Sequence, residues 1–352
     1  MIALDSHKII SFNCKARLML GFGILGILGC QNISEALKID GYTMGTTYSI
    51  VYVSDHSYPK VDLVQCKVDS LLNQLNQQMS TYIADSEISK FNSWKHTDSF
   101  GISSEFFEVV HRAQNVSRLT NGAFDITVMP LVRLWGFGPG FKGSIRIPTE
   151  EEINKIKINT GSDKLVTVQS AIKKKNPELE IDLNAIAKGF AVDQMSILLE
   201  TLNINNYLVE VGGEIRCRGR NRNGNKWSVG IDTPEFENLA KRKIEIALSV
   251  SNLAVATSGD YRNYFEKNSK IYSHIIDPVT GHPAQSGIAS ATVVAPYCTE
   301  ADAWATALLV LGENGMKMIE GLKGFEAILF IREGELFQQI MTSGVKDMIV
   351  ML

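Results

Sequence analysis

Apolar residues fall at helical spacing early in the chain. Val64, Val68, Leu71, Leu72 and Leu75 predict a helix over Val61–Met79 with one buried face. A second helix over Ser104–Leu119 stops before Asn121-Gly122, and Pro148-Thr149 with three glutamates after it starts another. Polar and β-branched residues alternate over 42–53, which predicts an opening strand. The second half alternates more regularly. A short strand over 179–183, a helix over 187–202 and a strand over 206–211 lead into Gly212-Gly213. Further strands are expected over 227–231, 243–248, 254–257 and 288–294, with a closing hairpin of 327–331 and 336–341 around Glu333-Gly334. Neither a linker nor an internal repeat interrupts this pattern. Strands mixed with helices in this way argue for an α+β fold of mixed or antiparallel sheet, built as one large domain or two intimately packed lobes over residues 30–352.

The first 29 residues carry a different pattern. Lys8, Lys15 and Arg17 precede an uncharged apolar run from Leu18 to Leu28, too short for a settled membrane span and suited to a signal peptide. The run ends in Ile27-Leu28-Gly29-Cys30, which resembles a bacterial lipobox. The expected product is cut before Cys30, lipidated there, and held at a bacterial cell membrane facing the periplasm or the cell exterior. Losing Asp5, Lys8, Lys15 and Arg17, a net +2, takes the formal charge from −3 to −5. That balance gives no electrostatic reason to bind nucleic acid. Cys66, Cys217 and Cys298 then remain without paired spacing, so neither a disulfide framework nor a zinc site is expected.

Candidate chemistry gathers late in the chain. His274 and Asp277 stand three residues apart in a polar turn ending at Gly281. Asp302 and Thr306 are one helical turn apart, so their oxygens share a face. A carboxylate and a hydroxyl on one face suit a hard cation such as Mg²⁺, and an imidazole nearby can move a proton. Each element also has a structural reading. Thr299-Glu-Ala-Asp302 matches a capping box, Asp277-Pro278 begins many turns, and His274 fits a strand end. Upstream, Asp182 and Asn184 join a strand to a helix that opens with small residues and Lys188-Gly189, a place where backbone N–H groups and a lysine can meet an anion.

Taken in order, Met44-Gly-Thr46, Met79-Ser-Thr-Tyr82, Gly122-Ala-Phe-Asp125, Asp182 to Gly189, Val211-Gly-Gly213, Thr257-Ser-Gly259, His274 to Gly281 and Ala301 to Thr306 resemble the ApbE family. The resemblance implies an FAD:protein FMN transferase, with FAD in the groove between two lobes. It implies that Met44, Tyr82, Ala123, Phe124, Asp125, Asp182, Lys188 and Ile276 contact FAD. Mg²⁺ would be held by the Ala185 carbonyl, Asp302 and Thr306, and the partner would be an acceptor flavoprotein with an exposed Thr or Ser. His274 is the expected base with Asp277 orienting it or the substrate; the reverse assignment stays open. Ala305 replaces an acid that some members carry, which leaves the number of metal ions open. The competing readings are an FAD pyrophosphatase, with water in place of the acceptor, and a non-catalytic flavin-binding surface lipoprotein.

Overall fold

The computed structural model describes residues 35–54, 59–139, 146–234, 244–260, 264–267, 270–334 and 336–350. The signal segment and Cys30 lie outside the described residues. The organising element is an eight-stranded sheet in which every neighbouring pair is antiparallel. Its strands are β1 (Glu35–Thr43), β2 (Thr46–Ser54), β3 (Tyr207–Val211), β4 (Glu214–Arg218), β5 (Leu253–Gly259), β6 (Ile288–Ala295), β7 (Glu326–Glu333) and β8 (Leu336–Met341). Spatial order follows chain order throughout.

The opening strand expected over 42–53 is instead a hairpin. Met44 and Gly45 turn it with φ of 49° and 72°, the doubly positive pair that lets a two-residue turn match the twist of its strands. Gly212 and Gly213 make a second such turn between β3 and β4, with φ of 60° and 106°. The sequence advertises the second turn by its paired glycines. A methionine in left-handed backbone carries no such signal.

Among the described residues, six helices fill the excursion between β2 and β3: α1 (Val61–Met79), α2 (Glu87–Ser93), α3 (Ser104–Leu119), α4 (Met129–Leu134), α5 (Glu150–Lys157) and α6 (Ala187–Thr201). α7 (Cys298–Leu311) and α8 (Glu313–Glu320) join β6 to β7. α1 and α3 keep their predicted bounds, and α5 begins with a complete capping box between Thr149 and Glu152. The main core packs α1, α3, α6 and α7 with one set of sheet residues, including Tyr48, Ile50, Val209, Ala256 and Val293. The alternate residues Val53, Leu208, Ile215, Val255 and Val294 meet a second layer built from Trp227–Asp232 and Ile244–Val250. Successive strand residues point to opposite faces, so the sheet serves both cores. A third, smaller core of Leu131, Trp135, Phe137, Ile153, Phe265, Tyr272 and Ile276 forms a separate lobe. The Trp135 indole N–H ties it together by donating to the Gly281 carbonyl at 2.8 Å.

The strand expected over 179–183 forms no ladder. Its alternating Leu179, Ile181 and Leu183 are buried, but its backbone is satisfied elsewhere. The Asn92 side-chain amide takes the place of a neighbouring strand, accepting from Ile181 N–H at 2.8 Å and donating to Ile181 O at 2.9 Å. Asp182 N–H donates to Ile126 O at 2.7 Å. Alternation reports which residues are buried and says nothing about what completes the backbone hydrogen bonds.

Asn92 also accepts, through its carbonyl, the Nζ of Lys174 at 3.2 Å, with the Phe91 ring 4.6 Å from that nitrogen. Lys174 is 2% exposed. Burial, and then the charge of Lys95, push it from 10.5 down to about 8. Between those two values the unfolded chain binds the extra proton, so the folded state gains stability as pH rises through that window. Urea unfolding across it should show the parent gaining on Lys174→Met by up to about 3 kcal/mol, since each pH unit crossed contributes about 1.4 kcal/mol. Parallel pH profiles for the two proteins would show that this lysine is not penalised by its burial.

Candidate functional site

α6 and α7 close each other's N-termini. The Gly189 N–H, in the first turn of α6, donates to Asp302 Oδ2 at 2.9 Å. In return Asp193 of α6 accepts the N–H groups of Cys298 and Thr299 at 3.0 and 2.9 Å, and the Thr299 hydroxyl at 2.6 Å. Arg216 on β4 holds Asp193 Oδ1 at 2.7 Å. Negative charge at each helix start opposes the positive end of the helix dipole and satisfies free N–H groups. The capping box read from Thr299 to Asp302 therefore does not form. α7 starts at Cys298, Thr299 turns to Asp193, and Asp302 serves the other helix. The crossing is close enough to require glycine: a Cβ at Gly189 would sit 2.3 Å from the Cys298 carbonyl oxygen and 2.8 Å from Asp302 Cβ.

A cavity of about 370 Å³ opens above this crossing. Tyr82, Ala123, Phe124, Asp125, Asp182, Ala185, Lys188, His274, Ile276, Asp302 and Thr306 all line it. These residues come from five separate stretches of the chain, with the small lobe supplying Phe137 and Ile276 as one wall. Two of the residues singled out from the sequence do not line it. Met44 sits half-buried against the main core at the tip of the β1–β2 hairpin. Its neighbour Thr46 borders the site, because a Cβ at Gly212 would meet Thr46 Cγ2 at 2.8 Å and Lys188 Cδ at 3.4 Å. Asp277 lines an adjoining groove of about 650 Å³ with Thr280, His282 and the start of α8, and Val310 lines both spaces. The Asp277 carboxylate accepts Val279 N–H at 2.9 Å and the Thr280 hydroxyl at 2.8 Å, the bonding of a turn.

The acids in the cavity differ in their surroundings. Asp125 is buried, and its carboxylate accepts from Thr127 N–H and Oγ1 at 2.8 Å and from Ser162 N–H at 2.7 Å. Burial raises its pKa and those hydrogen bonds oppose the rise. Burial likewise raises Asp182, against the Asn184 N–H donated at 2.9 Å. Tyr82 remains 70% exposed at the mouth, so a ring is presented to whatever enters. Its hydroxyl is pushed up, first by desolvation and then by the charge of Asp182.

One residue of the site, Glu214, escaped the sequence reading, and a second, Ser258, was read only as part of the Thr257-Ser-Gly259 motif. Glu214, 1% exposed, holds Lys188 Nζ at 2.6 Å, while the same nitrogen lies 3.7 Å from Asp302 Oδ1. Ser258 shares a hydroxyl–hydroxyl hydrogen bond of 3.1 Å with Thr306. Glu214 follows the Gly212-Gly213 turn, yet only the fold reveals that β4 starts there and points its first side chain at α6. Among the described residues, Lys188 thus lies within salt-bridge range of two buried carboxylates. Ala185, Asp302 and Thr306 line the cavity together, and a carbonyl, a carboxylate and a hydroxyl are the oxygen types that Mg²⁺ takes. No cluster of three or more His, Cys, Asp or Glu residues that could hold a metal occurs among the described residues.

Residues 44–329 match the model of the ApbE family. An FAD:protein FMN transferase of Vibrio cholerae serotype O1 is 39% identical over 323 residues, spanning 92% of this chain and 96% of that protein. The Haemophilus influenzae protein of the same description is 38% identical, spanning 88% of this chain and 90% of its own. Among solved structures, flavin transferase ApbE from Vibrio cholerae has a TM-score of 0.81 at 38% identity, over 90% of this chain and 99% of that one. The apo form of Pseudomonas stutzeri flavinyl transferase ApbE also has a TM-score of 0.81, at 34% identity, over 90% and 97% of the two chains.

The contact at Gly189 gives a direct test of the helix crossing. Gly189→Ala forces a methyl group against backbone and is expected to cost about 1–3 kcal/mol or more in urea unfolding followed by circular dichroism. A variant as stable as the parent would mean that α6 and α7 are free to separate.

Proposed function

The chain belongs to the ApbE family, and from that premise we propose that it transfers FMN from FAD to a Thr or Ser hydroxyl of an acceptor flavoprotein, with Mg²⁺, releasing AMP. It is an enzyme of the FAD:protein FMN transferase type. The observation that carries the finer reading is the single cavity shared by Tyr82, Lys188, His274, Asp302 and Thr306. A non-catalytic flavin carrier needs a ring-binding wall. It does not need an imidazole beside an oxygen-only cation set.

The chain's own groups divide the work. Tyr82, Phe124 and Ile276 offer aromatic and apolar surface for a flavin ring. Lys188, which lines the cavity from the first turn of α6, offers positive charge to a diphosphate. Ala185, Asp302 and Thr306 would hold Mg²⁺, which when bound neutralises diphosphate oxygens as a Lewis acid. The acceptor oxygen forms a bond to the phosphorus on the riboflavin side. The bridging P–O bond breaks, and its electron pair leaves with AMP. His274 takes the hydroxyl proton and passes it to solvent. Asp277, through its bonds to Val279 and Thr280, positions the 275–278 segment whose Ile276 and Pro278 line the cavity. Upstream, cleavage before Cys30 and its lipidation would tether the enzyme to a bacterial membrane, facing the periplasm or cell exterior. No described helix is long and apolar enough to cross a membrane.

The soluble form lacking residues 1–30, incubated with FAD and an acceptor protein, tests the reading by mass spectrometry. The acceptor should gain the mass of FMN, with AMP released, only when Mg²⁺ is present. Free FMN without an adduct, across varied acceptors, would make the enzyme a pyrophosphatase. Intact bound FAD under all conditions would make it a carrier. His274→Ala should keep FAD and lose transfer by about 10²–10⁴-fold. Asp302→Ala should lose the response to Mg²⁺; transfer by either variant at the parent rate would remove that residue from its role.

A further inference from the structure

We infer that Glu214 is a positioning residue that holds Lys188 away from Asp302 and so keeps a carboxylate oxygen open for the cation. The inference rests on the reading of Asp302 as a Mg²⁺ ligand.

Lys188 reaches two buried carboxylates. It makes contact at 2.6 Å with Glu214 Oε1, and it stops 3.7 Å from Asp302 Oδ1. The first distance is a charge-assisted hydrogen bond; the second exceeds hydrogen-bond range. Asp302 Oδ2 is already used by the Gly189 N–H, so Oδ1 is the oxygen left for a metal. That oxygen is also the one nearest the ammonium group. An ammonium and Mg²⁺ compete for the same lone pairs, and a four-carbon stem needs to move only about 1 Å to close the gap.

Glu214 is built to prevent that movement. It pairs with Val211 at the start of β4, directly after the Gly212-Gly213 turn, and is 1% exposed. Its carboxylate therefore has a fixed place, and a short contact with a buried charge resists movement of the lysine. The turn also makes room for the lysine, since Lys188 Cδ lies 3.4 Å from the point where a Cβ of residue 212 would stand. Removing the Glu214 charge while keeping its shape leaves Asp302 as the remaining buried acid within salt-bridge distance of Lys188 among the described residues.

Mg²⁺ titration of the FAD-free protein, by calorimetry and by displacement of Mn²⁺ followed by electron paramagnetic resonance, reads this without any turnover. Glu214→Gln should weaken the metal by about tenfold or more, the scale of losses from groups that orient a ligand. In a Lys188→Met background the same substitution should change affinity by less than about threefold, because no ammonium remains to move. Glu214→Asp, which keeps the charge, should restore most of the affinity. An equal loss in both backgrounds would mean that Glu214 acts only through its field, and the inference would fall. Unchanged affinity in Glu214→Gln would overturn it as well, with the Mg²⁺ reading intact. If Glu214→Gln does not fold, Lys188→Met decides alone: it should bind metal at least as tightly as the parent, and weaker binding defeats the inference. A parent protein that binds neither metal overturns both readings.

Discussion

Two helix starts, each closed by a carboxylate borrowed from the other helix, hold this molecule's chemistry in place. Asp193 satisfies the first N–H groups of α7, and Asp302 satisfies an N–H of α6. Each acid gains what the other helix lacks, so the crossing angle and separation are set by hydrogen bonds rather than by packing alone. Every side chain placed near the crossing inherits that precision. Lys188 comes with α6, Ala185 with the turn just before it, Thr306 with α7, and Arg216 fastens the arrangement to the sheet through Asp193. Cys298, pressed beneath the crossing, keeps its proton because burial raises its pKa well above the usual thiol value. Nearby acids reinforce the rise.

The second constraint is charge. Polar groups this deeply buried are costly unless each is answered. The Arg216–Asp193 pair is balanced within the protein, and Asp193 is fully occupied by hydrogen bonds. Among the described residues Lys188 lies instead within salt-bridge range of two acids, Glu214 and Asp302, and on the proposed reading Asp302 is the one a cation would take. Asp125 and Asp182 differ in the same way. Asp125 spends both oxygens on Thr127 and Ser162, and braces the wall. Asp182 lines the cavity and its carboxylate is bonded only by its neighbour Asn184, among the described residues, through backbone and side chain.

Periodicity made much of the fold legible. The amphipathic stripe of α1 and the hairpin of β7 and β8 could be read nearly to the residue. The failures share one cause: backbone bonds made by unexpected partners. A methionine in a positive-φ turn split the first strand, and the Asn92 amide stood in for a strand beside Ile181. In the site, motif residues were visible because their types announce their chemistry, and eleven of them line one cavity. Asp193 and Glu214 were not visible. An acid within a helix and an acid at a strand start look like surface residues until tertiary packing buries them.

The sheet's order along the chain bears on how such a molecule reaches its final form. Neighbouring strands suggest local, rapid assembly, and the β1–β2 hairpin and most of the ladder from β3 onward need only nearby partners. One seam does not. Tyr52 pairs with Tyr207, across an excursion of roughly 150 residues that must be looped out first. The cavity draws much of its wall from that excursion, and the rest from β4, β5, the 274–278 segment and α7, which packs on α6. Ladder and site are thus separable in time: a chain stalled before the seam closes would hold sheet and helix in abundance, yet have no pocket to offer a nucleotide.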